Sequence, residues 1–201
     1  MDLNGFDHPG DSGAGGTRSV KVMIAGGFGT GKTTMVRSVS DIKPLTTEET
    51  LTQASVGSDQ LIGVADKTQT TVSLDFGKIS LNDSLMLYLF GTPGQERFWF
   101  LWNGLFKGAL GAIVLVDTRR LASSFRAIEE MERQNVPFVI ALNVFPDSTE
   151  HPVDEIRDAL DISPDTPVVV CDARDRNSSR DVLVALIRHL QERSAVALEA
   201  R

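Results

Sequence analysis

Two short stretches of the chain carry residue types at spacings that can do phosphate chemistry. GGFGTGKT, Gly26 to Thr33, fits G-x-x-x-x-G-K-[ST] and falls between a predicted strand and a predicted helix. Its glycines let the backbone N–H groups of Gly26, Gly27, Phe28, Gly29, Thr30 and Gly31 turn inward toward phosphate oxygens. The helix behind the loop, entered through Thr33 and Thr34, adds its positive end. Lys32 is placed to reach the β- and γ-phosphates, and the Thr33 hydroxyl to ligate Mg2+. This loop specifies a nucleoside triphosphate and leaves the base and the reaction open. The second stretch, FGTPGQERFWFLW from Phe90 to Trp102, fuses a tight polar turn to a run of aromatics. Polar turns face water and aromatic runs face a core, so this junction, with Gln95 inside it, has to serve two environments.

These residues need a frame. VKVMIA, beginning at Val20, reads as a short buried strand, followed by the Gly-rich turn and a helix from about Lys32 to Val39. Residues 41 to 67 show no clear period, and so long a connection is usually functional or mobile. TVSLDFGKISL alternates from Thr71, with Val72, Leu74, Phe76 and Ile79 or Leu81 expected on one side. LMLYLF follows an Asn-Asp turn, so the two runs read as a hairpin. AIVLVD, FVIALNV and VVVC are three further buried strands, separated by a helix near Ser124 to Gln134 and a short one opened by Pro152. Leu183, Leu186, Ile187 and Leu190 make the apolar stripe of a last helix, with Ser178 or Ser179 as the expected cap. The expectation is an α/β fold: a six-stranded, mostly parallel sheet with one antiparallel hairpin strand and helices on both faces. Residues 1–17, rich in Gly and Asp, read as a flexible tail; 18–192 as the folded domain; 193–201 as a tail or helix end.

Composition narrows the classes. The chain has 201 residues, 41% hydrophobic and 23% charged, which suits one globular domain. A net charge of −7 without a dense basic run disfavours nucleic acid or anionic lipid as partner. Cys171 is the only cysteine, which fits a reducing compartment. No apolar run reaches membrane-spanning length and no lipid-anchor signal is read. The expected location is the cytoplasm, with recruitment to a membrane only through a partner and no direct insertion.

Together, GGFGTGKTT, TTVSLDF and TPGQERF resemble the Ras-like small GTPases. The likeness is greatest to the bacterial branch that holds the MglA polarity switches and the conservon-type (CvnD-like) GTPases, and it covers about residues 19 to 192. It implies a P-loop NTPase with a Ras-like G domain, binding GTP or GDP with Mg2+ and hydrolysing GTP slowly. In that family a threonine of the first switch loop ligates Mg2+; Thr71 takes the role here, with Thr70 or Thr68 as alternatives. Gly94 would donate its N–H to the γ-phosphate, and Gln95 would orient the attacking water. The catalytic set is thus Gln95, Lys32 and Thr71, and the metal ligands Thr33 and Thr71. After Arg97 a helix is expected with Phe98, Leu101, Trp102 and Leu105 on its core stripe. Trp99, Phe100 and Phe106 fall off it, either as a partner surface or packed under a neighbouring helix.

Several positions depart from the family. The Asp that usually opens the turn and holds a Mg2+ water is Gly91 here, so the metal rests on Thr33, Thr71, phosphates and water, or another carboxylate substitutes. Phe28 stands where glycine is usual, which predicts slow intrinsic hydrolysis. The guanine-reading N-K-x-D appears as Asn143-Val144-Phe145-Pro146-Asp147. Asn143 reaches the base or braces the phosphate loop, and Asp147 reads the base only if the loop bulges; otherwise it is a turn residue. Asp172-Ala173-Arg174 stands for the last base motif, with the Ala173 N–H offered to the base carbonyl. The resemblance further implies a small roadblock-type, GAP-like regulator and, for conservons, a sensor-kinase-like membrane neighbour. Two other readings stay open: a nucleotide-binding module with little turnover, and a P-loop ATPase with relaxed base specificity.

Overall fold

The structure is a computed structural model and describes residues 17–51, 70–94, 98 and 102–199. Strands are β1 (Arg18–Ala25), β2 (Leu45–Leu51), β3 (Thr70–Asn82), β4 (Leu85–Gly91), β5 (Gly111–Val116), β6 (Phe138–Asn143) and β7 (Val168–Cys171). Helices are α1 (Lys32–Val39), α2 (Trp102–Leu105), α3 (Phe125–Arg133), α4 (Val153–Leu160) and α5 (Arg176–Glu199), with a 3-10 segment at Thr118–Ser124. They form one sheet in the order β2-β3-β4-β1-β5-β6-β7. Strands β4, β1, β5, β6 and β7 run parallel, and β2 and β3 pair antiparallel at one edge.

The sheet has seven strands, one more than expected. The addition is β2, LTTEETL, which lies within the aperiodic stretch from residue 41 to 67. Its alternation is polar against polar, and an edge strand tolerates that because one flank meets water. Along β3 the expected face is also corrected. Asp75, Gly77 and Ile79 point inward, whereas Phe76 stacks on Tyr88 at 5.8 Å and packs on Phe90 at 5.1 Å on the opposite side. Strand parity puts residues 76 and 79 on opposite faces.

Period-two alternation in the central strands feeds two cores. Val22, Ile24, Ile113 and Leu115 meet Met35, Val36 and Val39 of α1 and Val182, Leu183 and Leu186 of α5. Met23, Ala25, Val114 and Val116 meet Trp102, Phe106, Ile128, Met131, Ile156 and Leu160 on the other face. Each fully buried aliphatic side chain favours the fold by about 1.5–3 kcal/mol. Phe106 is thus a core residue, 3% exposed; Trp99, Phe100 and Leu101 lie outside the described residues. Helix α5 starts before the expected serine cap: the Asp175 carboxylate accepts from Ser178 N–H at 2.7 Å, an N-cap geometry. It runs through residue 193, where a tail was one alternative. Among the described residues no helix is long and apolar enough to cross a membrane.

Five parallel strands end on one rim. Gly26, Thr92, Asp117, Asn143 and Asp172 directly follow, or end, β1, β4, β5, β6 and β7, so distant stretches of sequence converge there.

Candidate functional site

Two adjoining cavities open on that rim. The larger, ≈ 310 Å³, is lined by phosphate-loop residues with Asp75, Thr92, Gly94 and Phe98. The smaller, ≈ 140 Å³, is lined by Asn143, Val144, Phe145, Asp172, Ala173 and Arg174. They share Gly29, Gly31 and Thr34, so one elongated ligand can lie across both.

The phosphate loop is shaped by backbone that only glycine adopts easily. Gly31, the N-cap of α1, has φ +101°, and a Cβ there would stand 2.5 Å from Asn143 Nδ2. Lys32 follows and points back under the loop, where Nζ donates to Gly26 O at 2.9 Å and Gly27 O at 2.6 Å. Burial of this ammonium lowers its pKa to about 8, against an opposing pull from Asp75. The Thr30 hydroxyl closes the turn by donating to Gly27 O at 3.0 Å.

The Thr33 hydroxyl donates to Asp75 Oδ2, and the other carboxylate oxygen accepts from Thr46 Oγ1 at 3.1 Å. Asp75 on β3 pairs in register with Gly91 on β4. A Cβ at Gly91 would lie 3.1 Å from Asp75 Cβ and 3.4 Å from its Oδ2. The Asp75 side chain therefore occupies the space into which an acid at position 91 would project. Asp75 belongs to the TTVSLDF motif without a role of its own there, and Thr46 carries no motif at all. Asp75 is the one carboxylate on the inward face of β3, and that face follows only once strand parity is known; Thr46 comes to it through the pairing of β2 with β3.

Thr92, Pro93 and Gly94 close the larger cavity. A Cβ at Gly94 would fall 2.7 Å from Lys32 Nζ and 3.0 Å from Phe28 Cα, so a side chain there would crowd the lysine head and the phosphate loop. Thr92 is 3% exposed and its hydroxyl finds no partner among the described residues. Trp102 Nε1 donates to Pro93 O at 3.3 Å, and Phe98 lines the cavity wall. Among the described residues, Phe98 and Trp102 thus support the start of the turn at Thr92–Gly94. Gln95 lies outside the described residues. Thr71 is placed by its backbone alone, paired with Thr50 and four residues before Asp75, about 13 Å along β3.

At the smaller cavity Asn143 braces the loops. Its Nδ2 donates to Thr30 O at 2.9 Å and its Oδ1 accepts from Ala173 N at 2.9 Å. The Ala173 amide expected to serve a base is thus engaged by Asn143. Asp172 and Arg174 form a bidentate pair, both bonds 2.8 Å, and hydrogen bonding by Arg174 holds the Asp172 carboxyl below its ordinary pKa. Asp147 is exposed and outside the cavity lining. Burial pushes the Cys171 thiol up to about 12, which makes it an inert filler.

A sequence family described as conserved hypothetical ATP binding protein matches residues 24–193. The chain belongs to that family. This ATP-binding-protein family member is also similar to the uncharacterized protein MJ1339 of Methanocaldococcus jannaschii. The two are 27% identical over 126 residues, 62% of this chain and 69% of that protein. It is 28% identical to the Ras-related protein Rab-11C of Dictyostelium discoideum over 87 residues, 39% of each chain. Among solved structures it superposes on the FeoB G-domain of Methanococcus jannaschii with TM-score 0.59 and 14% identity, covering 87% of this chain and 99% of that one. On the cytosolic domain of the T. maritima FeoB iron transporter in a GDP form, the TM-score is 0.62 at 16% identity, covering 88% and 65%. The family member therefore has the α/β P-loop G-domain fold.

Proposed function

We propose that the chain is a switch protein that binds GTP and GDP with Mg2+, hydrolyses GTP slowly and displays its nucleotide state to partner proteins. The observation that carries this reading is the seating of Gly94 against Lys32. An oxygen held by the Lys32 ammonium also meets the turn at Thr92–Gly94, and Trp102 ties that turn to α2. Triphosphate and diphosphate then differ in what the turn touches, which is the requirement for a switch. The Ras-related relative and the GDP form of a fold neighbour support guanine.

Mg2+, when bound, neutralises charge on the phosphates. Thr33 and Asp75 offer hard oxygen donors suited to that ion or its waters, and Asp75 supplies the carboxylate missing at Gly91. Lys32 offsets phosphate charge, Thr92 lines the same cavity with a buried hydroxyl that has no partner among the described residues, and Gln95 is assigned to orient the attacking water. Thr71 is assigned as the switch threonine. Phe28, 67% exposed beside Gly94, narrows the water's approach and accounts for slow turnover. A roadblock-type regulator, a sensor-kinase-like neighbour and membership of the MglA and conservon branch rest on the sequence resemblance.

A second reading, ATP as ligand, is favoured by the family's description and by the position of Asp147 outside the base cavity. Competition of GTP, GDP, ATP and ADP for the purified protein, with Mg2+ present and chelated, separates the two. The expected result is tighter binding of the guanine nucleotides and slow phosphate release that Gln95→Leu abolishes without loss of binding. Tighter binding of ATP than of GTP would overturn the guanine assignment.

A further inference from the structure

The segment after β5 backs the phosphate loop. A Cβ at Gly27 would fall 2.7 Å from Ser123, so the two backbones are in near contact. The 3-10 segment is kinked at Arg120 (φ −145°, ψ 54°), and the kink sends this side chain toward the loop. Arg120 Nη2 donates to Phe28 O at 3.3 Å and to Asp117 Oδ2 at 3.1 Å. Asp117 is fully buried, and its second arginine, Arg119, binds both carboxylate oxygens and lies 4.0 Å over the Phe145 ring. One buried carboxylate therefore aims two guanidinium groups, one at the phosphate loop and one at the base loop.

The contact at Phe28 O has a directional consequence. No cis peptide occurs among the described residues, so the Phe28–Gly29 peptide is trans and its N–H points opposite to its C=O. With Arg120 on the carbonyl side, the Gly29 N–H faces away from Arg120. Gly29 itself lines both cavities. A charged donor on the carbonyl fixes that peptide plane and polarises its N–H.

We infer that Arg120 is a positioning residue that orients the Gly29 amide toward the β- and γ-phosphates of a bound nucleotide, held in place by Asp117. This rests on the reading of the cavities as a nucleotide site. The Arg119 branch acts on the base loop instead, so the two arginines affect different parts of the ligand.

The test measures dissociation constants of GTP, GDP and GMP for wild type, Arg120→Ala, Arg120→Lys and Arg119→Ala, with melting temperatures alongside. Loss of Arg120 is expected to weaken GTP and GDP by about 10-fold or more, the scale of a hydrogen bond from a charged group. GMP, which lacks the β- and γ-phosphates, keeps its affinity, and Arg120→Lys recovers part of the loss. Arg119→Ala is expected to weaken all three nucleotides alike. Equal affinity of wild type and Arg120→Ala for GTP, or a loss of the same size for GMP, would overturn the inference while leaving the nucleotide site standing. Failure of the wild type to bind any purine triphosphate would overturn both.

Discussion

Asp75 and Gly91 stand opposite each other across β3 and β4, and only one of the two positions has room for an acid. Restoring the acid at the turn, Gly91→Asp, sets two carboxylates side by side in a buried site, where like charges repel. The expected outcome is a lower melting temperature and weaker Mg2+-dependent nucleotide binding, with recovery in the double variant Gly91→Asp/Asp75→Gly. Calorimetric melting and nucleotide titration check it, and a double variant no better than the single one would contradict it. Lys32 gives a second prediction. Its pKa in the free protein is about 8, depressed by burial, and the protonated form is the one that binds phosphate. Triphosphate affinity should therefore be full below pH 8 and fall above it, by about tenfold per pH unit once the neutral amine dominates. Binding above pH 8 should take up a proton, measurable by calorimetry in buffers of different ionisation enthalpy. Lys32 and Thr33 were legible in sequence because the phosphate loop is contiguous. The partner of Thr33 was not, because Asp75 lies 42 residues away and the register of β3 decides which way it points.

At the scale of elements, α2 and the turn before it form one unit. Trp102, 2% exposed, packs edge-on against Phe106 at 5.7 Å and holds Pro93 O through its indole N–H. Trp102→Ala should destabilise the protein by about 3–5 kcal/mol through the cavity it leaves. Trp102→Phe should keep most of the packing, lose the hydrogen bond to the turn, and reduce the difference in affinity between GTP and GDP. Denaturant melts and nucleotide titrations separate the two effects. Strands β1 and β4 to β7 were legible because each is an apolar run with turn residues at its ends. Strand β2 was not, since LTTEETL carries no apolar period and is a strand only because β3 offers it a ladder. The 3-10 segment at Thr118–Ser124 escaped for a related reason: Asp117 shapes it by accepting from Arg119 N–H, a local bond with no periodic signature.

Across the whole molecule, Asn143 joins what the chain keeps apart. Its amide bonds Thr30 O and Ala173 N, 113 and 30 residues distant, and so locks the phosphate loop to the loop after β7. Asn143→Ala strands both buried groups, each at about 1–3 kcal/mol. Lower thermal stability and weaker binding of GTP and ATP alike are the expected outcome; selective loss of one base would instead make Asn143 a base reader. What the sequence determined by itself was the phosphate loop, the inward stripe of Phe98 and Trp102 and the alternation of strands and helices, because each is set by neighbours within a few residues. What the tertiary structure decided was which carboxylate stands beside Thr33, whether Asn143 faces base or backbone, and where Arg120 points. Those outcomes depend on strand order and register, which bring distant side chains within hydrogen-bond reach and leave no mark in local spacing.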